Sequence, residues 1–220
     1  MKSLFIAILM INTSWAASKH CLPNNPSYCT NDKVIVDDGL QGSVGKKGKI
    51  VAIYESNETL EIQFKDGSPN QTMTVDNIAD TKEHLDAYGF SIGNQPGLRI
   101  VTDTGLYGEV VGKYPNGDAE ISFNLNDKLL HRWPMARLAV DNVTFCTTGY
   151  TRACVKDFVA GKNETQGKVV AVFTNTPYAM VQFFDKNSRK AGRTLKPYKI
   201  NSSDLIVTIK CAGKNICNHL

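Results

Sequence analysis

Gly48-Lys49-Ile50-Val51-Ala52-Ile53-Tyr54 is the stretch that decides the fold, because the chain writes it three times. It returns as Gly108-Glu109-Val110-Val111-Gly112-Lys113-Tyr114 and as Gly167-Lys168-Val169-Val170-Ala171-Val172-Phe173, a period of about sixty residues. A second stretch keeps the same phase. Leu60-Glu61-Ile62-Gln63-Phe64 matches Ala119-Glu120-Ile121-Ser122-Phe123 and Ala179-Met180-Val181-Gln182-Phe183. In its first copy, Leu60 to Phe64, the second stretch alternates apolar and polar residues, the pattern of a half-buried strand. A unit of this size buries only about 60% of the surface its unfolded chain exposes, so each unit needs disulfides or a neighbour.

Working outward from these stretches, the first unit reads as strands at Lys33-Val34-Ile35-Val36, Lys49 to Tyr54, Leu60 to Phe64 and Gln71 to Val75. A glycine-rich loop, Gly42 to Gly48, joins the first two, and Asp76-Asn77-Ile78 predicts a helical turn before a last short strand. The second unit repeats this with a shorter first loop and an Asn116-Gly117 hairpin turn. The third runs from Phe158-Val159 through Gly167 to Phe173, Ala179 to Phe184, and Arg193 to Ile200. Met73, Trp133 and Leu195 fall in one column, each five residues before Ile78, Leu138 and Ile200, with Val75, Met135 and Pro197 between them. The one helical candidate is Asp80 to Tyr88, in the link between the first two units.

Five strands, a long glycine-containing first loop and a helical turn before the last strand resemble the bacterial SH3-like barrel. The residues that carry this resemblance are Asp32 to Val36, Gly48 to Val51, Leu60 to Phe64, Asp66-Gly67 and Val75 to Ile78, with their counterparts, and it covers most of residues 30–80, 97–140 and 154–210. The Gly-Lys-Val-Val step also resembles KOW and Tudor-type small barrels. The resemblance implies an all-β chain of three tandem five-stranded SH3-like barrels with local disulfides and little helix. Residues 17–80, 97–145 and 146–220 are the expected repeats, 81–96 a linker, and 1–16 a leader. Barrels of this kind bind cell wall, peptides or nucleic acid, so the fold alone leaves the ligand open.

The N-terminus reads as a secretory signal: Lys2, an apolar run from Leu4 to Ile11, and small residues at Ser14 and Ala16 before a mature start near Ala17. A buried N-terminal strand or helix is the alternative. Nothing else in the sequence is apolar enough to span a bilayer as a helix. The six cysteines fit an oxidising compartment. Cys21 and Cys29 have the same spacing as Cys146 and Cys154, and each pair precedes a unit. They are expected to form two equivalent disulfides, leaving Cys211 and Cys217 as a third. A rival pairing joins Cys21 to Cys217, and metal binding is a further alternative, although this is not zinc-finger spacing.

The net charge is +4, with acidic and basic residues interspersed. Lys186, Arg189, Lys190, Arg193, Lys196 and Lys199 fall within fourteen positions. Such a run is ordinarily a solvated face; an anionic partner is the sharper reading. There is no Gly-x-Ser-x-Gly elbow, His-Glu-x-x-His, P-loop or dinucleotide fingerprint, and none of the four histidines falls at the same position in two units. No catalytic residue, cofactor or metal is therefore assigned. The columns Tyr54/Tyr114/Phe173 and Phe64/Phe123/Phe183 are read first as core, as is Trp133. The non-repeated Tyr107, Tyr178 and Tyr198, with Lys190 and Arg193 of the basic run, are the candidate ligand-binding residues.

Together these features predict an exported, non-catalytic binding protein, periplasmic or secreted. Its expected partner is peptidoglycan or another cell-wall polymer. The alternative is a scaffold that holds an envelope protein. Nucleic-acid binding ranks third, because export and the mixed charge oppose it.

Overall fold

The computed structural model describes residues 19–40, 44–81, 98–123, 129–142, 144–162, 165–184 and 196–211. These residues are all-β: seventeen strands and short 3-10 turns, with no α-helix among them. Two strands, β1 (Cys21–Leu22) and β2 (Asn25–Cys29), form an N-terminal hairpin closed by the Cys21–Cys29 disulfide. The helix expected over Asp80 to Tyr88 lies outside the described residues from position 82 onward; Asp80 itself ends a strand.

The next five strands are β3 (Lys33–Val36), β4 (Lys46–Tyr54), β5 (Thr59–Phe64), β6 (Gln71–Thr74) and β7 (Ile78–Asp80). They pair antiparallel in the order β7-β3-β4-β5-β6, and a 3-10 turn at Val75–Asn77 precedes β7. The same order recurs in a second unit of β8 (Leu98–Thr102), β9 (Tyr107–Lys113), β10 (Ala119–Phe123), β11 (Leu130–Trp133) and β12 (Leu138–Val140). It recurs again in β13 (Phe158–Gly161), β14 (Gln166–Val172), β15 (Tyr178–Phe183), β16 (Tyr198–Asn201) and β17 (Leu205–Ile209). Each unit has its own core. Val34, Ile50, Leu60, Ile62 and Ile78 fill the first; Ile100, Val110, Ile121 and Leu138 the second; Val159, Val169, Val181 and Leu205 the third. Tyr28 of the N-terminal hairpin packs into the first core and donates its hydroxyl to the Ile78 carbonyl at 2.8 Å.

The repeated motif has a packing reason. A Cβ at Gly48 would lie 2.4 Å from the Ile62 side chain, and one at Gly108 2.5 Å from that of Ile121. Only glycine lets the next strand's apolar side chains cross there. Three residues later the register slips by one in every unit, leaving Val51, Val111 and Val170 unpaired as β-bulges. A bulge bends its strand and raises the local twist.

Sequence reasoning expected closed barrels, and no closed barrel is found. Among the described residues β6, β11 and β16 each pair on one side only, and fifteen strands join into one sheet. The joins replace closure. The last strand of one unit pairs with the far half of the next unit's second strand, beyond the bulge: Asp80 opposite Lys113, and Val140 opposite Val172. The expected column of Met73, Trp133 and Leu195 also needs correction. Ile200 pairs with Ala179 as Met73 pairs with Leu60 and Trp133 with Ala119, so Ile200 holds that position and Leu205 matches Ile78 and Leu138. The third unit has a longer connection between β15 and β16, which sequence spacing alone misregistered; Leu195 lies outside the described residues.

Both unit junctions use the same positions. Ile35 and Ala79 meet Tyr114, Leu130 and Val111 at the first; Val101 and Ala139 meet Phe173, Ala171, Met180 and Val170 at the second. The aromatic residue is fully buried in both, and a cation lies over each ring: Arg132 at 4.2 Å from the Tyr114 centroid, Lys199 at 4.5 Å from that of Phe173. Where the second junction has Met180, the first has Glu120, also fully buried. The Tyr114 hydroxyl donates to Glu120 Oε2 at 2.7 Å, and Glu120 Oε1 has no hydrogen-bond partner among the described residues.

Burial pushes the Glu120 carboxyl up to about 8; the Tyr114 bond and Arg132 pull it down, and Asp37 pushes it further up. A carboxyl that holds its proton more tightly folded than unfolded makes stability fall as pH rises, here from its ordinary 4.5 to about 8. Urea unfolding is therefore expected to show a less stable protein at about pH 9 than at about pH 5. Glu120→Gln, which keeps an acceptor for Tyr114, is expected to remove most of that difference. An equal pH dependence in the two proteins would refute this assignment.

Candidate functional site

Two sequence-predicted disulfides can be placed directly. The disulfides Cys21–Cys29 and Cys146–Cys154 are present, which excludes the Cys21–Cys217 alternative. Cys211 is also disulfide-bonded, and Cys217, its expected partner, lies outside the described residues. Each described disulfide loop ends in the same device: Asp32 Oδ2 accepts from the Cys29 amide at 3.0 Å, and Asp157 Oδ2 from the Cys154 amide at 2.9 Å. Among the described residues no group of three or more His, Cys, Asp or Glu side chains could hold a metal, and no helix is long and apolar enough to cross a membrane.

Among the described residues there is a cleft of about 620 Å³ in the third unit. It opens between the end of β13, the end of β15, strand β16 and the 3-10 turn Ser202–Asp204. Phe183 and Ile200 supply apolar surface, and Tyr178 borders it. Lys162, Lys199, Asn201 and Asp204 supply the polar rim. Lys162 pairs with Asp204 across the mouth, while Asn201 is held by accepting from the Ser203 amide at 3.1 Å. Lys199 is shared with the junction, since its ammonium also lies 4.8 Å from the Tyr178 ring centroid. No histidine or cysteine lines the cleft. Its lining is an aromatic and aliphatic floor with a rim of donors and acceptors.

A second cleft, of about 450 Å³, occupies the same place in the first unit. Val36 stands for Gly161, Phe64 for Phe183, Thr72 for Lys199, Met73 for Ile200 and Asn77 for Asp204. Asp37 and Asp38 make its rim acidic where the third unit has Lys162. In the second unit that place is taken by a side chain. Trp133, at the Met73 and Ile200 position, meets Phe123 edge-on at 6.1 Å, and the Arg137 guanidinium lies 4.6 Å from its ring centroid. Arg137 in turn donates to both oxygens of Asp103, at 2.8 and 3.1 Å, which raises its already high pKa.

Of the predicted binding residues, Tyr107, Tyr178 and Tyr198 lie on β9, β15 and β16. Tyr178 lines the third-unit cleft. Tyr198 is exposed on β16 but is not among the residues lining it. Tyr107 lies half-exposed on β9 of the second unit, where burial and then Asp141 push its phenol up. Lys190 and Arg193 lie outside the described residues, as do Tyr88 and Phe90. Sequence reasoning missed Phe183 and Ile200: the first stands in a column that is core in Phe64 and Phe123, and the second was misregistered. The Ser-Ser-Asp turn ahead of Leu205 was the available signal for the true register.

No family model matches the chain, and no curated protein matches it in sequence.

Trp133 is expected to hold the second unit together rather than to bind. Trp133→Ala removes its contacts with Phe123 and Arg137 and should cost about 3 kcal/mol in urea unfolding, at the low end for a large aromatic because Trp133 is only half-buried. A loss within a few tenths of a kcal/mol would mean that the ring is not a packing element.

Proposed function

We propose that the chain is an exported, non-catalytic binding protein built from three tandem SH3-like repeats, and that it recognises peptidoglycan or another envelope polymer. One observation carries this reading: equivalent positions in the first and third units form the same cleft, floored by Phe64 and Met73 or by Phe183 and Ile200. Two like clefts on one chain suit a polymer that offers the same chemical group repeatedly. Weak sites on such a ligand reinforce each other, because binding at one raises the effective concentration at the other. An apolar floor under polar rims suits a sugar ring or a short peptide stem. The disulfides fit an oxidising compartment, consistent with export.

A scaffold for a partner polypeptide is the second reading. The outer side of β17 carries Ile206 at 68% exposed, and an unpaired strand edge is a ready template for a partner strand.

The second unit suggests how to test the first reading, since a tryptophan there already fills the cleft. Met73→Trp and Ile200→Trp copy that residue into the other two. The oxidised protein is expected to co-sediment with purified sacculi. Either substitution should weaken binding about tenfold and the pair by far more. Failure of the wild type to co-sediment at low salt refutes the envelope reading. Undiminished binding by the double variant refutes the clefts as the site.

A further inference from the structure

A third concavity, of about 290 Å³, lies at the junction of the first and second units and has a different chemistry. Its apolar floor is Ile35, Val111 and Leu130, which belong to the junction core. Its walls carry Lys33, Lys47 and Lys65, contributed by or adjoining three neighbouring strands of the first unit. The register explains why these residues share a face. Lys33 lies directly opposite Lys49 across β3 and β4, Lys47 follows Lys49 at the strand's period of two, and the Lys65 amide donates to the Lys47 carbonyl at 3.0 Å.

This arrangement is costly without a partner, because like charges facing each other across strands repel. Lys46, on the opposite face of β4, is paired with Asp66 at 3.7 Å. Among the described residues none of Lys33, Lys47, Lys49 and Lys65 has such a carboxylate. The other two units settle the same positions differently. Arg99 faces Glu109 in the second, a pair of opposite charges, and Phe158 faces Lys168 in the third, with the ammonium 5.4 Å from the ring centroid. Of the three equivalent faces, the first alone sets lysine opposite lysine, and it does so beside a concavity.

We propose that this groove is an anion site whose ligand is a compact, multiply charged phosphate-bearing group. Separate lysines on adjoining strands act as point charges that converge on a tetrahedral anion from several directions, whereas a planar carboxylate is better matched by an arginine fork. The apolar floor of Ile35, Val111 and Leu130 accommodates the uncharged part of the ligand. The groove is separate from the two clefts above, so its failure would leave the envelope reading standing, and the reverse also holds.

The test is calorimetric titration of the full oxidised chain at low salt, with tripolyphosphate as a free anion and a synthetic poly(glycerol phosphate) as a polymer-borne one. Saturable binding of tripolyphosphate at one per chain is expected, and it supports a soluble source. Binding of the polymer alone supports a polymer-borne phosphate. Lys47→Gln and Lys65→Gln should each weaken binding by about three- to tenfold, because these surface lysines remain screened by solvent. Lys210→Gln, which removes the same charge elsewhere, should leave binding unchanged. Absence of binding to either probe overturns the proposal. So does binding that all three variants lose equally, which is adhesion by net charge.

Discussion

The edge of the second strand in the second and third units is divided between two partners, and the rest of the structure depends on that division. Before the bulge the edge pairs with the unit's own first strand, as Leu98 does with Val110; beyond it, the same edge accepts the last strand of the preceding unit, as Lys113 does Asp80. The bulge residue makes this possible by turning the strand between the two. It also contributes directly, since Val111 and Val170 pack into the junction cores. Val51, with no unit before it, is 37% exposed. A sixty-residue unit with a marginal core thus gains a second core at its boundary, at a position its own chain geometry prescribes.

The two junctions solve one packing problem with different chemistry. Phe173 and Met180 make the second apolar; Tyr114 and Glu120 make the first polar within the same outline. The exposed end of the first unit carries the polar version again, with the Tyr54 hydroxyl donating to Glu61 Oε2 at 2.8 Å. In water that pair is cheap to maintain. Buried under Ile35 and Ala79 it is not, because a carboxyl in an apolar setting must stay protonated or find a cation. Arg132 stands nearby over the Tyr114 ring, but its Nε donates to Asp118 at 2.9 Å and its amide to Asp37 at 3.2 Å. The first junction is consequently the one whose strength depends on proton concentration. It is also the one bordered by the lysine groove, so charge enters that boundary from both sides.

Strand existence was legible because alternation over Leu60 to Phe64 is strong and the motif recurs at constant phase. The two described disulfide pairings were legible for a similar reason: equal spacing placed before equivalent strands. The joining of units was not. Pairing of Asp80 with Lys113 or Val140 with Val172 involves single residues at strand ends, and no local pattern marks them. The clefts were illegible for another reason. A repeated aromatic is ordinarily core; Phe64 and Phe123 are buried, yet Phe64 and Phe183 each line the cleft of their unit, which the column alone does not show. Trp133 was rightly placed against core, yet its meaning comes from what Met73 and Ile200 leave open at the same position. The lysine groove needed cross-strand register, because Lys33, Lys47 and Lys65 are spread along the sequence and become neighbours only in the sheet.

The outer face of the third unit is not a free copy of the internal ones. At both junctions the last strand presents alanine, Ala79 or Ala139, against Gly112 or Ala171. The fit is close: even a Cβ at Gly112 would sit 2.9 Å from that of Ala79. Ile206 holds the corresponding place in β17, opposite Ala160 as Ala79 is opposite Ile35. An isoleucine adds three carbons where the first junction has no room for one. The first unit's exposed end offers Ala52 at the Gly112 position, which makes the mismatch worse. The contact that joins units within one chain would have to repack before two chains could join end to end through it. An open head-to-tail contact would otherwise generate filaments. An exposed isoleucine thus stands in β17 where the internal strands carry alanine, so the outer face of the third unit differs in shape from the faces that join the units.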